Sequence, residues 1–251
     1  NRWTLDAKHA VVIGGGALGL EAAWELRKEK MEVTVLEGMP RLLLGKLDDT
    51  AADMLTKIAE KNGVNIQTGV KIAEITGDGK VDGVLLEDGT KIPADIVLVS
   101  TGVRANKELA EDAGLLTNRA VMVSDKMQTS DSSVFAGGDC AEYDGANVAI
   151  WPVAMEMGRV AGANAAGDSQ PYLPQVQGMT LAALNTMVYA IGDVGTKEGA
   201  SYKTLEIRDD RKMTLQKCYF MNNALCGAIL IGDTSKMKEM TEGVLKKKAF
   251  H

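Results

Sequence analysis

Three glycines, Gly14, Gly16 and Gly19, stand in the spacing Gly-x-Gly-x-x-Gly directly behind the apolar run Val11-Val12-Ile13. Each has a physical task in a turn that offers its backbone to a pyrophosphate. The first permits the tight strand-to-helix turn, the second lets the ligand approach, and the third lets helix and strand pack closely. The helix that must follow places Ala17, Leu18 and Gly19 in its first turn, where free N–H groups and the helix dipole favour an anion without any lysine. A second apolar run, Val33-Thr34-Val35-Leu36, ends in Glu37, 18 residues beyond Gly19. That is close to the spacing at which a carboxylate accepts from both hydroxyls of an adenosine ribose. Such a carboxylate repels a 2′-phosphate, and Arg41 is the only obvious counterweight nearby. The expected ligand is therefore NAD(H) rather than NADP(H). A purely structural glycine turn beside a solvated Glu37 is the alternative, and the complete order strand, turn, helix, strand, acid weighs against it.

The elements that hold these residues follow from pattern. Residues 8–13 read as a first strand, preceded by a polar lead-in with Trp3 and Leu5 as packing anchors. Asp48, Asp49 or Thr50 can cap a helix in which Met54, Leu55, Ile58 and Ala59 share a face, and Asn62-Gly63 is a suitable stop. A third short strand at 64–67 completes a βαβαβ half-domain. Asp78-Gly79 and Asp88-Gly89 then punctuate three antiparallel meander strands, at 70–76, 80–87 and 91–93, where a crossover helix would otherwise stand. The apolar stretch 94–102 returns to the parallel sheet and ends in Gly102, a candidate backbone contact at the carboxyl end of a strand. Beyond residue 171, four short strands, at 187–191, 201–208, 212–220 and 224–231, precede a helix from Ser235 onward.

Several of these stretches, in this order, resemble the pyridine nucleotide-disulfide oxidoreductase superfamily, the flavoproteins that hold two dinucleotides. Val11-Val12-Ile13-Gly14-Gly15-Gly16-Ala17-Leu18-Gly19-Leu20-Glu21 is similar to that family's NAD(P)H fingerprint, Glu21 included. The segment 33–43 followed by Leu47-Asp48-Asp49 resembles its second strand and helix entry, and 94–106 its strand-to-glycine closure. Residues 127–143, with Gly138-Asp139, resemble the second FAD signature, in which the aspartate contacts the flavin ribityl chain; the helix from Trp151 resembles the one beneath the flavin. The resemblance implies an α/β fold: a Rossmann-like NAD(H)-binding domain with a β-meander (1–120), the later part of an FAD-binding domain (121–170) and a small α+β interface domain (171–251). It implies that Gly14, Gly16 and Gly19 hold the pyrophosphate, Glu37 the ribose and Asp139 the ribityl, while Glu21 orients the nicotinamide. It also implies FAD in the full-length protein, hydride passing from NADH to flavin, and a redox partner such as rubredoxin or a small-molecule acceptor. A homodimer through the last domain is implied too. In that superfamily a second glycine fingerprint precedes the NAD domain, and this sequence has only one. The expectation is a missing FAD half that would carry the adenine anchors and any redox-active cysteine.

Composition narrows the alternatives. A net charge of −6 disfavours a nucleic-acid partner, and Lys246-Lys247-Lys248 reads as a solvated helix end. No apolar stretch approaches the ~20 residues of a membrane span. Cys140, Cys218 and Cys226 form neither a CxxC nor a metal array, and an odd count fits a reducing compartment, with the cytoplasm as the default. If Asn222-Asn223 is a two-residue turn, Cys218 faces residue 227 and Cys226 faces residue 219, on opposite sheet faces, so free thiols are expected. The only histidines are His9 and His251, which makes the terminal acid/base pair of glutathione-reductase-like enzymes an expected absence. The rival expectations are an NADH oxidase or CoA-disulfide reductase and, from a different class, a flavin-free NAD-binding or dimerisation fragment.

Overall fold

The structure is a computed structural model that describes residues 6–197 and 199–249. Trp3, Leu5 and His251 lie outside the described residues. The chain divides into two compact units, one formed by Asn1–Thr101 with Val176–His251 and the other by Gly102–Gln175.

The first hundred residues run β1 (His9–Ile13), α1 (Ala17–Lys28), β2 (Glu32–Glu37), α2 (Asp49–Lys61), β3 (Val64–Thr68), β4 (Ile72–Gly77), β5 (Val81–Leu86), β6 (Lys91–Pro93) and β7 (Ile96–Val99). A parallel sheet in the order β3-β2-β1-β7 places β1 at its centre, and β4-β5-β6 form a separate antiparallel meander. Strands buried on both faces read as continuous apolar runs, and both faces are covered here. On one side Val11, Ile13 and Leu36 pack with Val84, Leu86 and Ile92 of the meander; on the other Ala10, Val12, Val33 and Val35 pack with Leu20, Ala23, Met54, Leu55 and Ile58 of the helices.

The second unit holds a short helix α3 (Glu108–Asp112), two paired strands β8 (Val121–Val123) and β9 (Ala141–Tyr143), and α4 (Trp151–Ala165). Pro152 sits in the first turn of α4, where its missing N–H costs nothing, and Gly167 follows the helix at φ +101. Met127, Val153, Met157, Val160 and Tyr172 form its core.

The chain then returns to the first unit as β10 (Gly178–Ala183), β11 (Thr186–Gly192), β12 (Lys203–Asp209), β13 (Thr214–Met221) and β14 (Ala224–Ile231), ending in α5 (Met237–Leu245). These strands form one antiparallel sheet in the order β10-β11-β14-β13-β12. One face joins the α1/α2 core through Leu181, Leu184, Val188, Leu215 and Ile229, and the other lies beneath α5 with Tyr189, Leu225, Leu230 and Val244. Sequence reasoning did not find β10, because its hairpin turns on Leu184-Asn185 rather than on a glycine dipeptide. Both residues adopt positive φ, 57° and 52°. Tertiary contacts offset that strain. Leu184 is fully buried and its carbonyl accepts from Asn62 Nδ2 at 3.0 Å, while Asn185 Nδ2 donates to Asn62 Oδ1 at 2.8 Å.

Asn222 and Asn223 do form the expected tight turn, at φ 50° and 63°. A bulge between Tyr219 and Phe220 then shifts the register, so that Cys218 pairs with Ala228 instead of residue 227, and Tyr219 with Gly227. The two thiols still lie on opposite faces, Cys218 in the cluster under α5 and Cys226 against the α1/α2 core, and all three cysteines are free.

One polar cluster joins the two layers of this unit. Asp48 caps α2 by accepting from Ala51 N–H at 2.9 Å, and its other oxygen accepts from Tyr219 Oη at 2.7 Å and pairs with Lys217 Nζ at 2.7 Å. Lys217 reaches Glu206 as well, at 2.8 Å. Burial works to raise the Asp48 carboxyl, but the bonds from Lys217, Tyr219 and Ala51 outweigh it and hold it below the ordinary carboxylate value. Lys217 moves the other way: desolvation opposes its charge, yet Asp48 and Glu206 leave it above the ordinary lysine value. Burial and the neighbouring Asp48 push the Tyr219 phenol far up, so it acts as a donor throughout the accessible pH range.

Candidate nucleotide and flavin sites

The three fingerprint glycines fall into two kinds. Gly14 leaves β1 at φ +114, and a Cβ built there would lie 2.2 Å from the Ser100 carbonyl oxygen; one built on Gly19 would lie 2.0 Å from the Gly14 carbonyl oxygen. Packing of β1, α1 and the end of β7 therefore requires both, whatever they bind. Gly16 differs. It sits at φ −76 and ψ 177 as the N-cap of α1, and a Cβ there would meet nothing within 4 Å. No protein contact demands glycine at 16, and the open space lies directly over a helix start that no side chain caps.

The first intrahelical bond of α1 runs from Leu20 N–H to Gly16 O at 3.0 Å, which leaves the N–H groups of Ala17, Leu18 and Gly19 without an acceptor one turn earlier. Leu18 is 74% exposed beside them. Partly buried Glu37 is clamped against this turn. Its Oε2 accepts from Gly15 N–H at 2.6 Å and its Oε1 from Met39 N–H at 2.7 Å. Each oxygen keeps a second acceptor position, so the carboxylate is oriented and still able to take a hydroxyl. The loop after Glu37 folds back onto the same turn, with Leu43 N–H donating to Gly15 O at 3.2 Å. Open space, uncapped donors and an oriented carboxylate suit a pyrophosphate and its adenosine ribose.

Glu21 lies partly exposed on α1, without a hydrogen bond or ion pair among the described residues. Arg41, singled out as the counterweight to Glu37, is already engaged: its Nη1 lies 2.6 Å from Asp49 Oδ1. Asp49 drew attention in the sequence only as a possible helix cap, a position that Asp48 occupies.

In the second unit, Gly102 is exposed at φ +92. Gly137 and buried Gly138 press the loop onto α4: a Cβ on Gly137 would lie 2.9 Å from the Met157 carbonyl, and one on Gly138, at φ +83, 3.4 Å from Ala154 Cβ. Asn147 Nδ2 steadies the loop by donating to the carbonyl oxygens of Asp139 at 3.0 Å and Ala141 at 2.8 Å. The Asp139 carboxylate is left exposed, with no partner among the described residues. An acceptor held by rigid backbone with its charge free suits the hydroxyls of a ribityl chain.

Among the described residues no cluster of His, Cys, Asp and Glu could hold a metal ion, and no helix is long and apolar enough to cross a membrane.

Comparison with known proteins agrees with this geometry. Residues 2–158 match the family model for pyridine nucleotide-disulphide oxidoreductases, and residues 179–248 match that for the rubredoxin NAD+ reductase C-terminal domain. Over 230 residues the chain is 34% identical to the nitrite reductase [NAD(P)H] of Bacillus subtilis (strain 168), covering 91% of this chain and 28% of that protein. It is 32% identical to the rubredoxin-NAD(+) reductase of Pseudomonas putida over 199 residues, covering 74% of this chain and 52% of the relative. A crystal structure of a ferredoxin reductase from Rhodopseudomonas palustris superimposes with a TM-score of 0.86 at 26% identity, over 99% of this chain and 62% of that one. The chain thus spans between a quarter and about half the length of these curated relatives. Its ordered glycine turn, clamped acid, Gly-Asp loop and C-terminal sheet are those of one lineage: the chain belongs to the pyridine nucleotide-disulphide oxidoreductase family.

Proposed function

We propose that this chain carries the NADH-binding and flavin-facing parts of an FAD-dependent oxidoreductase that takes hydride from NADH and passes the electrons to a redox partner. The observation that carries the reading is Gly16, a glycine that packing does not require, placed over an uncapped helix start beside an oriented carboxylate. In this reading the N–H groups of the first turn of α1 bind the pyrophosphate, Glu37 selects an unphosphorylated ribose, and Glu21 orients the nicotinamide. Gly102 supplies a backbone contact, and Gly138 presents Asp139 to the ribityl chain. FAD, when bound, supplies the acceptor for a hydride and the means to release electrons one at a time.

The domain limits 1–120, 121–170 and 171–251 and the possible homodimer belong to this proposal. The rubredoxin NAD+ reductase match over 179–248 supports a small electron-carrier protein as partner, and the nitrite reductase likeness supports an onward redox module as a second form of the same role. The test is a fluorescence titration of the chain with NADH and NADPH, alongside Glu37→Arg, after the visible flavin absorbance of the purified protein has been recorded. NADH should bind more tightly than NADPH, and Glu37→Arg should reverse the order. If neither nucleotide binds, the proposal fails.

A further inference from the structure

Arg41 has the chemistry to accept a 2′-phosphate, and its surroundings explain why it would not. The residue lies in a short loop fixed at both ends to the glycine turn. Upstream, Met39 N–H is tied to Glu37 and Glu37 to Gly15; downstream, Leu43 N–H is tied to Gly15 O, and a Cβ built on Gly15 would lie 2.6 Å from Leu42 Cδ2. Arg41 is thus carried on the lip of the ribose end of the site. Its guanidinium is gripped by one arm only, through Nη1 and Asp49 Oδ1, while Nε is buried without any hydrogen-bond partner. A planar guanidinium is best satisfied by an acceptor that takes two of its donors together, as a phosphate does, and the single contact with a carboxylate that is 85% exposed falls short of that.

We propose that Asp49 is a specificity-determining residue of the nucleotide site, acting as a latch that withholds Arg41 from the 2′-phosphate of NADPH. The inference rests on the nucleotide-binding reading given above and goes beyond it. With the latch in place, two carboxylates, Glu37 and Asp49, surround one guanidinium, and the ribose end of the site carries net negative charge. Removing the Asp49 charge leaves Glu37 and Arg41 to offset each other and frees a fork that matches a phosphate. Asp48, not Asp49, caps α2, so the helix start survives the change. Discrimination against NADPH in this chain is therefore shared between repulsion by Glu37 and sequestration of Arg41.

The test measures NADH and NADPH dissociation constants for the wild type, Asp49→Asn, Arg41→Met and the double variant, with thermal melting to confirm folding. Asp49→Asn should improve the affinity for NADPH relative to NADH by about five- to tenfold, and adding Arg41→Met should abolish that gain. If the wild type binds NADH but the ratio is unmoved by Asp49→Asn, the latch is wrong and the nucleotide site stands. A gain that persists in the double variant also overturns it, since Arg41 would not be the group released. If the wild type binds neither nucleotide, the underlying reading fails and takes the latch with it.

Discussion

Replacing Gly16 by alanine separates a ligand site from a merely structural turn. At φ −76 and ψ 177 the new residue is unstrained, and its Cβ meets no protein atom within 4 Å. Alanine is a poorer N-cap than glycine by about 0.5 kcal/mol, and the stiffer unfolded chain returns roughly 0.4–1 kcal/mol. Stability should therefore change by no more than about 0.5 kcal/mol. A bound pyrophosphate meets that methyl directly. Backing away by about an ångström forfeits at least one charge-assisted hydrogen bond from the helix start, worth roughly 1.5–3 kcal/mol, so NADH affinity should fall between about ten- and a hundredfold. Gly14→Ala gives the opposite pattern. Its Cβ would lie 2.2 Å from Ser100 O at a φ of +114, and strain with overlap costs about 2–6 kcal/mol, a melting temperature lower by on the order of 10 °C. Calorimetry and NADH fluorescence on both variants give the comparison. A Gly16→Ala protein that binds NADH as tightly as the wild type would falsify the assignment of the open space to the pyrophosphate.

Tyr219→Phe removes one of the three bonds to Asp48 and should destabilise the chain by about 1–2 kcal/mol, read as a lower denaturant midpoint with an unchanged slope; no change would mean that the cluster contributes nothing to holding the C-terminal sheet. The same cluster sets a pH window. Asp48 lies below its ordinary 3.8 in the fold, so its contribution is present above that value and is lost as pH falls through the depressed one; Lys217 lies above its ordinary 10.5, so its contribution is complete below that value and is lost as pH rises through the raised one. Urea midpoints across pH should form a plateau between these limits, and an Asp48→Asn variant should flatten the acid edge. Burial raises the Cys218 thiol, with a smaller push from Glu239 that Lys236 opposes, so it should react with a disulfide reagent well below the rate of an exposed cysteine, by mass mapping of the labelled chain; labelling at the exposed rate would show that α5 does not shield it.

Much of the nucleotide site was legible because backbone geometry writes itself into glycine spacing. Gly14 and Gly19 are needed by packing, Gly16 is left over for a ligand, and only the structure separates the two kinds. The acid at the end of β2 was legible for the same reason, since strand length fixes where Glu37 emerges. What the sequence hid are devices that depend on distant partners. Leu184-Asn185 turns tightly because Asn62 holds it, the bulge at Tyr219 slips a register that turn rules alone would place one residue away, and Asp49 meets Arg41 across a loop whose path no local pattern encodes. Asp48 read as one of three equal caps; that it also anchors Tyr219 is a contact across 171 residues of chain.

The core shared by α1, α2 and the C-terminal sheet also bears on synthesis. Leu20, Met54 and Leu55 find their full cover only when Leu181 to Ile231 arrive, and the whole of Gly102–Gln175 must be made in between. At about 5–20 residues per second the ribosome needs roughly ten to thirty seconds to pass from β3 to β14. Through that interval the outer faces of both helices are apolar and bare on the nascent chain, a standing target for holding chaperones. A chain arrested before β14 would present the same surface, making early termination products of this protein substrates for proteolysis rather than stable fragments.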